Sequence, residues 1–137
     1  MSIAQNVVIH RTRLPSTDGV AAKAREWGFD LKIDPVDLGT HSGFLPCTLG
    51  GKQAGFEWSL DNDVSICEEL GISIDDRDCV CVLVTHSDET ECQSALVCAA
   101  SILALTNGVY FDDYDNVDQT PDRILAEVRD WINGDND

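Results

Sequence analysis

The run Cys79-Val80-Cys81-Val82-Leu83-Val84-Thr85-His86 limits the fold more than any other stretch of the chain. Eight residues, mostly β-branched or small and apolar, without Pro or Gly, predict a strand buried on both faces. A polar turn follows, and then residues 92–106 carry Ser94 and Ser101 as nearly the only polar side chains after Gln93. A helix apolar almost all round belongs inside a core. Asp88 or Thr90 can cap it, and Glu89 and Glu91 fall in its first turn, where they complement the helix dipole. Asn107-Gly108 supplies a left-handed residue to end it. Val109-Tyr110-Phe111 then predicts a short strand, which runs into Asp112, Asp113, Tyr114, Asp115 and Asp118. A rigid strand and helix thus deliver an acidic, aromatic loop to the surface, a suitable place for binding.

The rest of the chain reads as elements around that unit. Val7-Val8-Ile9-His10 predicts a first strand, and residues 15–18 form a turn that caps a helix from about Gly19 to Trp27. Residues 31–34 alternate as a strand and 37–43 form a loop. Two alternating runs, 44–49 and 53–60, joined by Gly50-Gly51-Lys52, predict a β-hairpin with Phe56 and Trp58 on one face and Glu57 on the other. Residues 66–70 carry no assignable pattern. Thr120 and Pro121 start a last helix whose apolar stripe is Ile124, Leu125, Val128, Trp131 and Ile132, with Gly134 at its end. The order β-α-β-β-β-(α)-β-α-β-α, with hairpins and crossovers and no linker, predicts one α+β domain over residues 1–137. Its expected core is a mixed, mostly antiparallel sheet with helices packed on it.

Charge separates the two halves. Of the net −16, residues 1–60 contribute nothing, with six acids and six bases. Residues 61–137 hold nineteen acids against Arg77, Arg123 and Arg129. Such a field repels nucleic acid and anionic lipid and attracts basic proteins or cations; general solubility is the plainer explanation of an acidic surface. The start of the chain has no charged-then-apolar signal pattern, which predicts a cytoplasmic protein whose six cysteines are reduced, buried thiols.

Motifs for chemistry fail one by one. Cys79 and Cys81 share a strand face, where two thiols read as small core residues rather than half of a zinc site. Calcium-loop spacing from Asp61 or Asp113 breaks at the required Gly and Glu or at the fifth position. Gly50-Gly51-Lys52-Gln53 lacks the first Gly and the final hydroxyl of a phosphate loop. No catalytic residue, metal or cofactor is therefore expected. The remaining candidates are surface groups. Tyr and Trp are frequent interface anchors, and carboxylates near them pair with a partner's Arg and Lys. The partner-binding set read this way is Asp112, Asp113, Tyr114, Asp115, Asp118, Asp88, Glu89, Glu91 and Trp58, with a core position as the competing reading of Trp58, Tyr110 and Phe111.

Two passages, THSGFLPCTLGGKQAGFEW at 40–58 and LTNGVYFDD at 105–113 after the small-residue helix, together resemble small bacterial immunity proteins encoded beside polymorphic or contact-dependent toxins. The resemblance implies a cytosolic, non-catalytic inhibitor that binds the C-terminal domain of one cognate toxin. The acidity agrees in kind, because a nuclease-type toxin needs a basic cleft to hold phosphates, and carboxylates can take the phosphates' place. Two other functions fit the composition: an acidic secretion chaperone presenting an apolar groove, and a nucleic-acid mimic acting on a DNA-binding protein.

Overall fold

The structure is a computed structural model that describes residues 2–134. Seven strands form one sheet: β1 (Ile3–Ile9), β2 (Leu31–Ile33), β3 (Gly43–Leu49), β4 (Lys52–Asp61), β5 (Cys79–Thr85), β6 (Val109–Asp112) and β7 (Val117–Asp118). The helices are α1 (Thr17–Glu26), α2 (Ile66–Glu69), α3 (Glu89–Thr106) and α4 (Asp122–Gly134). The architecture is α+β, as the sequence predicts.

The strand order is β2-β3-β4-β5-β1-β6-β7, and every ladder is antiparallel. The expectation of a mixed sheet is corrected here. The crossovers do join strands of like direction: α3 connects β5 to β6. However, β1 lies between those two and runs against both. The two like-directed strands therefore never touch, and a parallel ladder does not form.

Alternation along the strands divides the core. Val7, Ile9, Leu45, Cys47, Phe56, Trp58, Cys81 and Leu83 point to one face, where α3 lies across the sheet with α1 and α4 packed against it. This double cover explains why α3 has no polar stripe: every residue from 92 to 103 is buried. Its hydroxyls bond back to the helix itself, Ser94 to the Glu91 carbonyl at 2.7 Å and Ser101 to that of Val97 at 2.8 Å, which makes their burial tolerable. On the other face Val8, Val80, Val109 and Phe111 meet Cys67 and Ile72. The four-residue α2, which the sequence pattern leaves unassigned, belongs to this smaller cluster.

That second face is covered only over β5, β1 and β6. Towards the β3–β4 hairpin it is open, and Phe44 is 51% exposed there. The hairpin turn is Gly50-Gly51, both with positive φ (60° and 80°), the geometry that suits the twist of the strands. Gly55 has a different reason to be glycine. Its φ is +147°, and a Cβ would meet the Phe44 ring at 2.5 Å and the Leu45 carbonyl at 2.8 Å. Gly55→Ala is expected to cost about 2–3 kcal/mol, because the Leu45 backbone cannot yield. The readout is the urea midpoint; an unchanged midpoint would show that the Leu45 carbonyl does not close on this glycine.

Candidate functional site

The site is built at one end of the three adjacent strands β5, β1 and β6. Gln5 of β1 pairs with Asp112 of β6, and Ile3 pairs with Thr85 of β5. The segments after β5 and after β6 therefore leave the sheet at the same end, on either side of β1. These are the two acidic segments singled out above. Glu89 reaches the 112–118 side through Trp131, whereas Glu91 turns towards β2 and β3, where it lines a separate cleft with Asp34, Phe44 and Cys47.

Asp112 organises that loop. One carboxylate oxygen accepts from the backbone N–H of Tyr114 (2.9 Å) and of Asn116 (3.0 Å). The other accepts from the Asn116 side-chain amide (2.9 Å) and from the Tyr110 hydroxyl (3.0 Å). Asp115 takes a left-handed conformation (φ 65°), which turns the chain back for Val117 to pair with Phe111. Asp113 accepts from the Ala4 backbone N–H at 3.0 Å and ties the loop to β1. What remains on the outside is Asp113, Tyr114 and Asp115, with Tyr114 63% exposed.

The other side of the loop is pinned to α4. Arg123 forms a forked pair with Asp118 (2.7 and 2.9 Å), bonds Glu127 at 2.7 Å and lies over the Tyr110 ring at 5.7 Å. Hydrogen bonding to Asp118 pushes the Arg123 pKa up, so its charge is permanent. Burial pushes the Tyr110 hydroxyl up too, with the Asp112 charge adding to it. Across the end of the sheet, Asp88 caps α3 by accepting from the Glu91 N–H at 2.9 Å. Glu89 accepts a hydrogen bond from the Trp131 indole, which joins α3 to α4. Between these parts lies a cleft of about 450 Å³, lined by Ile3, Cys92, Leu96, Tyr114, Glu127 and Trp131.

The sequence-predicted set divides accordingly. Asp113, Tyr114, Asp115, Asp88 and Glu89 are exposed at this end, and Glu91 is half-buried. Trp58 is removed from the set: it is 2% exposed, and its indole donates to the Leu38 carbonyl at 2.9 Å inside the core. Its inward position follows from the β4 alternation that also buries Phe56. Asp112 and Asp118 belong to the loop's internal bonding, with side chains 7% and 15% exposed. Trp131 and Glu127 are the additions. Trp131 was legible as the last aromatic of the α4 stripe, where such a stripe meets the rim of a core, and Glu127 as the residue one turn beyond Arg123.

The cysteines are all buried and free. Burial raises the pKa of Cys47 from 9.0 to about 11, and also raises those of Cys67, Cys79, Cys81 and Cys98. A thiol raised by burial favours the folded state's neutral form. Its contribution to stability is intact below pH 9.0, where the unfolded thiol is also neutral, and is lost as pH rises through about 11. The urea midpoint is accordingly expected to fall steadily above pH 9, and less steeply in Cys47→Ala; equal slopes would contradict this.

Among the described residues, no group of three or more His, Cys, Asp or Glu side chains comes together as a metal site requires. No helix among them is long and apolar enough to cross a membrane. No family model matches the chain, and neither a curated protein nor a solved structure is similar to it.

Proposed function

We propose that this chain is an immunity protein that binds the basic C-terminal domain of a cognate, nuclease-type toxin and occludes its active site or substrate entry. One observation carries the reading. Two acidic segments distant in sequence, 88–91 and 112–118, leave the same end of the sheet, with Tyr114 standing out between exposed carboxylates. The loop's shape is set internally by Asp112, so Asp113 and Asp115 are presented on a rigid frame. Preorganised carboxylates lose little freedom on pairing with a partner's guanidinium or ammonium groups. Catalysis by the chain itself is no part of this reading.

The test is protection. The C-terminal domain of the toxin read from the frame immediately upstream, expressed inside cells, is expected to arrest growth, and co-expression of this chain to restore it. Restoration by the wild type but not by Asp113→Lys/Asp115→Lys, at equal expression, would support the acidic end as the neutralising surface. Equal restoration by both would remove that end from the proposal. No restoration by the wild type would remove the toxin.

A further inference from the structure

The cleft beside the acidic loop has a chemistry that selects its occupant. Ile3, Cys92 and Leu96 give it an apolar lining, and Tyr114 and Trp131 add aromatic surface. Two carboxylates line it, Asp112 and Glu127, the latter 54% exposed at the side chain, with Gln5 and Asn116 beside them, and Glu89 reaches its edge through the Trp131 indole. Among the described residues, Arg123 is the one cation paired with any of these three carboxylates, and it is shared with Asp118. An apolar side chain placed here would strip water from the carboxylates without returning a partner, and an anion would be repelled. A long cationic side chain satisfies both parts, with its stem against the apolar lining and its charge between ring and carboxylate.

The molecule already holds its own arginines in this manner. Arg123 lies over Tyr110 while pairing with Asp118 and Glu127, and Arg129 lies over the Phe29 ring at 5.5 Å. The Trp131 indole is oriented in advance by its bond to Glu89. The Trp131 part of the cleft's aromatic surface is therefore fixed before any partner arrives.

We infer that this cleft is the socket for an arginine side chain projecting from the basic protein partner, with Trp131 and Tyr114 receiving the guanidinium plane and Glu127 and Glu89 its charge. This deepens the reading above and rests on it. Arginine is preferred over lysine because its planar, weakly hydrated head both stacks on rings and pairs with carboxylates.

The probe is the capped tripeptide acetyl-Gly-Arg-Gly-amide, titrated into the full chain and followed through the indole N–H signals of Trp27, Trp58 and Trp131 in ¹H–¹⁵N spectra. The expected result is a saturable shift of the Trp131 signal at probe concentrations on the order of millimolar, with Trp58 silent. The norleucine analogue, and the arginine probe against Glu127→Gln/Glu89→Gln, should each bind at least about fivefold more weakly. These two substitutions lie on the surface and keep hydrogen-bonding groups, so the fold is expected to survive; the wild-type titration decides the matter if it does not. A silent Trp131, or an equal response to norleucine, would overturn the socket. The two proposals fail separately. A toxin domain bound equally well by the wild type and by Trp131→Leu or Glu127→Gln retains the immunity reading and loses the socket. Probe binding without toxin binding does the reverse.

Discussion

Asp112→Ala is expected to lower the unfolding free energy by about 3 kcal/mol, whereas Asp115→Ala, three positions away on the same loop, should change it by less than about 0.5 kcal/mol. The contrast follows from what each carboxylate touches. Asp112 accepts from two backbone N–H groups, the Asn116 amide and the Tyr110 hydroxyl, and Arg123 stands 4.0 Å away. Its removal leaves the buried Tyr110 hydroxyl with Gln5 as its side-chain acceptor and frees the turn that shapes the loop. Asp115 is exposed, and its left-handed backbone costs Ala more than Asp only slightly. Asp112→Asn keeps some of the acceptors and should fall between the two. Urea unfolding of the three variants gives the answer. Equal costs at 112 and 115 would mean that the loop is not built around Asp112, and the rigid presentation of its neighbours would be lost with it.

The second large effect is on rate. Asp113→Lys/Asp115→Lys reverses two exposed charges and gives up the Asp113–Ala4 bond but leaves the Asp112 network in place, so association with the proposed toxin domain should slow by about 10- to 100-fold at low salt. The gap between variant and wild type should shrink as salt rises, because charges separated by more than about 10 Å are screened at ~0.1 M ionic strength. Dissociation should change less, since rim charges act chiefly on encounter. Stopped-flow mixing at several ionic strengths separates the two rates. A defect confined to dissociation would mean that these residues make close contacts rather than steer.

The core was the most legible part of the sequence. A helix without a polar face has to be covered on all sides, and α3 is, by the sheet, α1 and α4. Paired glycines between two alternating runs gave the β3–β4 hairpin directly. The sheet's pairing was not legible, because it depends on β1 entering between β5 and β6, and no residue of β1 announces its neighbours. Nor was β7 visible: two residues carry no periodicity, and it pairs because the Asp112-centred turn returns it to β6.

The site was half legible for a related reason. Sequence showed a run of acids but gave Asp112 and Asp113 the same weight. Strand alternation, extended one residue past Phe111, separates them. Asp112 shares the inward face of Tyr110 and is consumed by the fold, while Asp113 is exposed beyond the end of the strand. The same period-two argument sends Trp58 inward beside Phe56. The cleft could not be read at all, since Ile3, Leu96, Tyr114 and Trp131 come from four segments that only the folded chain brings together.

The most direct measurement is the association of the wild-type chain with the purified C-terminal domain of whatever protein the frame immediately upstream encodes, the toxin of the proposal, followed from about 20 to about 300 mM salt. A tight one-to-one complex is expected, with an association rate that drops at least about tenfold over that range. Absence of a complex, or an association rate indifferent to salt, would contradict an acidic surface that captures a basic protein.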